Sequence, residues 1–234
     1  MHEIKIPAHA VAAAVKRRGK LHLYETLTGP ATALVVIDMQ NAFLLPGAPA
    51  EVPVALEIVP TINRLAAAMR AAGGTVAWVK MTIQDETERW STWFDYFMTP
   101  ERKGAMLKAL SRGDHGHALH AELDARPGDL LVEKTRYSAF IQGASELDEL
   151  LRGRGVDTVA IVGTLSNVCS ESSARDAMML NYKTVFVSDA NATLTDDEHN
   201  ATLANILQVF GDVMTADEVI GRLRTDSPRA RRSL

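Results

Sequence analysis

The chain has 234 residues, 29 of them acidic and 25 basic, for a formal net charge of −4, with 47% apolar and 23% charged side chains. This is ordinary globular usage, which excludes a disordered, collagen-like or disulfide-dense chain, and its mild acidity argues against a general binder of nucleic-acid backbones. The single cysteine cannot close an internal disulfide; with no signal-peptide-like start the chain reads as cytoplasmic, its thiol either inert packing or a nucleophile.

Residues 1–30 form an Ala/Val-rich arm carrying Lys16-Arg17-Arg18-Gly19-Lys20. One short basic run in an acidic chain reads as a solvated arm packing on the domain or on another subunit, not as a nucleic-acid patch. The main domain is expected over 31–224. Its first strand is the apolar run 33–37, buried on both faces as a parallel strand should be. A helix follows through Val59, Ile62, Ala66 and Met69, with Gly73-Gly74 as its stop. Further strands are expected at 75–79, 129–132, 158–162, 184–187 and 212–214, with helices over 146–152, 170–180 and 195–210 between them. The Arg-containing tail 225–234 is expected to fray. Every apolar run is broken by charge before the roughly 20 residues a membrane span needs. This alternation predicts a three-layer αβα fold around an open, mostly parallel sheet of six strands. Such sheets bind ligands beyond the carboxyl ends of their strands.

Three strand ends carry chemistry. The first runs into Asp38-Met39-Gln40-Asn41; a carboxylate there is either a turn cap or a functional acid or base. The third leads to Glu133-Lys134, and the fourth to Gly163-Thr164-Leu165-Ser166-Asn167-Val168-Cys169, where a helix is expected to begin. Amides at a helix start favour thiolate over thiol and can bind an oxyanion. A nearby Lys134 would lower the thiol pKa further, and a nearby Asp38 could take its proton and pass it to a leaving nitrogen.

The strings Val35-Val36-Ile37-Asp38-Met39-Gln40-Asn41-Ala42-Phe43, Lys134-Thr135-Arg136-Tyr137-Ser138-Ala139-Phe140 and Gly163-Thr164-Leu165-Ser166-Asn167-Val168-Cys169-Ser170-Glu171-Ser172 resemble the isochorismatase-like cysteine hydrolases. Ala174-Arg175-Asp176-Ala177, Ser188-Asp189-Ala190 and Glu198-His199 resemble that family's later signature positions. The resemblance implies a homodimer or homotetramer with an Asp38, Lys134, Cys169 triad. It also implies a cis peptide between Thr164 and Leu165, and an oxyanion hole from the Leu165 and Cys169 amides. This chain has Leu165-Ser166 where many relatives carry Ala-Thr. The nicotinamidase-like branch carries an Asp and two His after the second strand, but Lys80-Met81-Thr82-Ile83-Gln84-Asp85-Glu86 has no histidine, so no metal or other cofactor is expected. True isochorismatases lack the cysteine. The branch implied is therefore the metal-independent amidohydrolases of ureidoacrylate, biuret or N-carbamoylsarcosine type, acting on a small ureido, carbamoyl or amide compound through a thioester and releasing ammonia. Two alternatives stand beside it: a non-covalent hydrolase using Asp38 as its acid, and a non-catalytic binding member.

Gln40, Asn41, Arg136 and Tyr137 flank the triad and are the expected polar substrate contacts. Trp90, Trp93, Phe94 and Phe97 share a helical stripe, read as core or subunit interface before pocket lining. His115, His117 and His120 have no Cys or Glu at ligand spacing and read as a solvated loop; His199 reads as structural.

Overall fold

The computed structural model describes residues 1–84 and 88–225; Asp85, Glu86 and all but the first residue of the expected tail lie outside them. Six strands, β1 (Thr32–Ile37), β2 (Thr75–Met81), β3 (Leu130–Lys134), β4 (Thr158–Thr164), β5 (Lys183–Ala192) and β6 (Asp212–Met214), form one sheet. Its order is β3-β2-β1-β4-β5-β6 and every pairing is parallel. The helices are α1 (Ala8–Arg18), α2 (Asn41–Leu44), α3 (Val59–Ala71), α4 (Ser91–Tyr96), α5 (Pro100–Ala109), α6 (Leu147–Gly153), α7 (Glu171–Met179), α8 (Asp196–Asn205) and α9 (Ala216–Arg222).

Alternate residues of each strand face opposite layers, and the core divides accordingly. Leu34, Val36, Trp78 and Val162 pack with Ile62, Leu65 and Met69 of α3. Val35, Ile37, Val79 and Ile161 pack with Leu147 of α6, Ala174 of α7 and Leu203 of α8 on the other face. Because both faces are covered, the strands carry continuous apolar runs, which is why their composition alone exposed them.

The arm is more ordered than its composition implied. Its basic run forms the C-terminus of α1, where Lys16, Arg17 and Arg18 meet the negative end of the dipole and Gly19, at φ 78°, caps the helix. Ala10 and Ala14 are buried, and Arg18 Nη1 donates to Gly211 O at 3.1 Å. The arm thus packs on the sheet's own helical layer.

Chain order reverses at β1: β2 and β3 build outward on one side, β4 to β6 on the other. The crevice between the carboxyl ends of β1 and β4 is the switch point of this doubly wound sheet. Ile37 pairs with Gly163 there, and a Cβ on Gly163 would be driven into the Ile37 carbonyl. Gly163 (φ +116°) therefore allows the two strands their closest approach beside the crevice.

Candidate active site

Asp38 is the first residue past β1. Its φ of 51° lies in the left-handed region, which Asp enters more readily than most residues, and it turns the chain out of the sheet. Its N–H still donates to Val79 O at 2.9 Å, while its carbonyl accepts from Thr164 Oγ1 at 3.1 Å. Lys134 is the last residue of β3, in register with Met81 of β2. The strand ends bring the two side chains together: Lys134 Nζ lies 2.8 Å from Asp38 Oδ2, with both side chains wholly buried. This is an ion pair by distance. The ammonium's directed hydrogen bonds go to Arg136 O at 3.1 Å and Met81 Sδ at 3.5 Å, and among the described residues neither Asp38 oxygen has a hydrogen-bond partner of good geometry, although Lys134, Cys169 and the Met81 amide all approach the carboxylate. The carboxylate is charge-compensated yet left with open lone pairs, a useful state for a proton acceptor.

Cys169 follows β4. The Thr164–Leu165 peptide is cis, and residues Ser166–Ser170 form a single π-helical turn before α7. The amides of Val168 and Ser170 both donate to Leu165 O at 3.1 Å. Cys169 is 4% exposed. These facts correct the expectation of a thiolate at an open helix start: the preceding turn consumes neighbouring amides, and burial pushes the thiol pKa up. Lys134 opposes that rise, and the Asp38 carboxylate adds to it. Burial also raises Asp38 above the usual carboxylate range despite Lys134. For Lys134 burial acts downward, but the negative charges on Asp38 and Cys169 prevail and its pKa rises. All three groups lie close enough to shift one another, and burial favours the neutral thiol on Cys169.

The turn that carries Cys169 is braced from behind. Ser166 Oγ lies 2.8 Å from Nδ1 of the buried His199, whose Nε2 lies 3.0 Å from Ser188 O. The tautomer that satisfies both contacts donates from Nε2 to the carbonyl and accepts the Ser166 hydroxyl at Nδ1. Burial pushes His199 down to about 4, so the ring is neutral near pH 7. His2 stacks on it with ring centroids 4.6 Å apart.

The four expected polar contacts divide. Gln40 is buried and its amide is spent on the backbone: Nε2 donates to Met81 O at 3.0 Å and His117 O at 3.1 Å, and Oε1 accepts from Met81 N at 2.7 Å. Asn41 is likewise engaged, donating to His115 O at 3.0 Å and meeting His120 Nδ1 at 3.1 Å. Both hold the end of β1 to the end of β2 and to the loop of residues 115–120, and their amide groups are engaged there. Arg136 donates to Thr135 O at 2.7 Å and lies over the Trp90 ring, 5.2 Å from its centre. Tyr137 packs edge-on against Trp90 and Trp93 and shares a cavity with Cys169. The histidine loop is solvated in part, as expected: His115 is exposed and His120 half-buried, but His117 is 4% exposed, with Nε2 2.8 Å from Thr82 Oγ1.

That cavity has a volume of about 470 Å³ and reaches Cys169, Leu165 and Val168. The aromatic stripe splits around it: Phe94 is core, Trp93 is buried yet forms part of the wall, and Phe97 lines it while 73% exposed. Sequence reasoning missed Phe43, Glu51, Arg102, Met106 and Leu110, which also line it. They come from α2, the segment after it, α5 and the residue that follows α5, so only the fold brings these separate stretches together. Among the described residues no group of three or more His, Cys, Asp or Glu is placed to hold a metal ion, and no helix is long and apolar enough to cross a membrane.

Comparison with known proteins agrees with this geometry. The family model described as the isochorismatase domain matches residues 32–218. A ureidoacrylate amidohydrolase, RutB, from Agrobacterium fabrum is 34% identical over 220 residues, covering 87% of this chain and 94% of the relative. A crystal structure of a cysteine hydrolase from Pseudomonas syringae pv. phaseolicola superposes with a TM-score of 0.78 at 30% identity, covering 87% of this chain and 97% of that one. The N-carbamoylsarcosine amidase of Thermoplasma acidophilum does so with a TM-score of 0.62 at 26% identity, covering 80% of this chain and 96% of that one.

Proposed function

The chain belongs to the isochorismatase family, and on that premise we propose that it is a cysteine amidohydrolase cleaving a C–N bond of a ureido, carbamoyl or amide compound. The observation that carries this reading is the thiol of Cys169 at a cavity wall, within reach of a wholly buried Asp38–Lys134 pair. A ureide or amide specificity is supported by the relatives whose names specify ureidoacrylate and N-carbamoylsarcosine.

In the proposed cycle Asp38 takes the thiol proton as sulfur attacks the carbonyl, so no free thiolate accumulates in a site that disfavours it. Developing charge on the carbonyl oxygen is assigned to the Leu165 and Cys169 amides. The C–N bond breaks, Asp38 returns its proton to the departing nitrogen, and ammonia leaves a thioester on Cys169. Water then gives a proton to Asp38 and its oxygen to the carbonyl, and sulfur departs and regains the proton. Lys134 keeps Asp38 ionised between these steps and is a positioning residue through that pairing. Replacing Cys169 by Ala should reduce ammonia release from a panel of ureides and primary amides to background. Full activity in that variant would replace this reading with the non-covalent one, in which Asp38 alone acts.

A further inference from the structure

The walls of the cavity carry information that the reacting groups do not. Phe43, Trp93, Phe97, Met98, Met106 and Leu110 give it an apolar lining, and among the described residues the charged ones on it, Glu51 and Arg102, are one of each sign. Glu51 Oε2 is also held by the Gly47 amide at 2.8 Å. A volume of about 470 Å³ belongs with sites that enclose drug-sized ligands, about 300–1,000 Å³. A short-chain ureido acid would leave most of it unfilled. Its carboxylate would meet largely apolar walls on which the charges of Glu51 and Arg102 sum to zero, so desolvating it there is compensated less well than burying a ring. An aromatic ring, by contrast, matches what the walls offer: Trp93 and Tyr137 already pack edge-on with centroids 5.8 Å apart, and Phe97 is a third ring at the cavity that is largely uncovered.

We propose that this cavity takes a terminal amide or ureide whose remaining substituent is a flat apolar group, an aromatic ring foremost, in preference to a short ureido acid. The proposal rests on the preceding reading for the reacting carbonyl, but its evidence is the lining alone. It also separates this chain from what the name of its ureidoacrylate-hydrolysing relative says of that protein.

Benzylurea and ureidoacetate form a matched pair: they share the ureide and its methylene and differ only in phenyl against carboxylate. Calorimetric titration of the Cys169→Ala variant measures affinity without turnover, and ammonia release by the unmodified protein measures reaction. The expected result is benzylurea bound about 10- to 100-fold more tightly, the ratio that burying one ring gives, with a matching preference in kcat/KM. Phe97→Ser alters a side chain already 73% exposed and should lower benzylurea affinity several-fold, and ureidoacetate affinity by a smaller factor. Equal or tighter binding of ureidoacetate, or no detectable binding of benzylurea, overturns the proposal. If the variant prefers benzylurea but the unmodified protein hydrolyses neither compound, the amidohydrolase reading falls and the cavity assignment stands. If both are hydrolysed with ureidoacetate preferred, the reverse holds.

Discussion

Replacing Lys134 with Met removes a charge but keeps most of the side-chain volume, and so isolates the ion pair. Both partners are wholly buried at 2.8 Å, and the Asp38 oxygens have no hydrogen-bond partner of good geometry to take over. Breaking a buried pair on one side costs about 3–5 kcal/mol because the remaining charge is uncompensated. In a chain of this size that corresponds to a loss of about 6–20 °C in melting temperature. The penalty has a definite pH dependence. Burial already raises Asp38, and loss of Lys134 raises it further. The folded variant then holds a proton that the unfolded chain, with Asp near 3.9, releases, so its stability falls as pH rises from about 4 through the raised folded value. The defect should therefore shrink in mild acid, and ammonia release should fall because a larger share of Asp38 is protonated and unable to act as a base. Adding Asp38→Asn removes the orphaned charge and should recover most of the stability but none of the activity. Urea and thermal unfolding of the single and double variants, with activity alongside, check all of this. A single variant that melts like the parent and keeps its activity would refute the view that this pair is buried and coupled to Cys169.

Two other outcomes follow from the same electrostatics. The rate of Cys169 alkylation by iodoacetamide should keep rising beyond the free-thiol value of about 8.5, because burial pushes the thiol up; a plateau near neutrality would mean a preformed thiolate. His199, buried and pushed down to about 4, should make the protein less stable as pH falls from about 6.5 to about 4, since the unfolded chain binds a proton there that the folded ring refuses. The linkage amounts to at most about 3 kcal/mol; urea midpoints should show His199→Gln losing this share of the acid sensitivity, and an unchanged acid profile would count against the brace.

The sheet was legible because strands covered on both faces must be apolar along their whole length, and Gly73-Gly74 and similar breaks separate them from helices. The three candidate residues were legible for a related reason: Asp38, Lys134 and Cys169 each interrupt apolar character at the carboxyl end of a strand or just beyond it, where a parallel sheet gathers its ends. Gln40 and Asn41 were misread as substrate contacts because their partners, His115, His117 and His120, lie more than 70 positions away and return to them only through an antiparallel bridge between Gln40 and Leu119. That long-range pairing leaves no local signal, and it also explains why His117 is buried within an otherwise partly exposed loop. The thiol's environment was misjudged on a shorter scale. A π-helical turn and an α-helical start look alike in sequence, yet the first draws amides inward before the helix begins. The cavity lining is assembled from stretches far apart in the chain, so no local pattern announces it.

The central claim is that Cys169 forms a covalent bond to the substrate carbonyl. Its most direct test is acid quenching during turnover of a hydrolysed ureide or amide, followed by mass measurement of the peptide containing Cys169. The account predicts a mass increase equal to the substrate less ammonia on that cysteine, present in the parent and absent in Cys169→Ala. Sustained ammonia release by Cys169→Ala, with no adduct in the parent at any quench time, would contradict it.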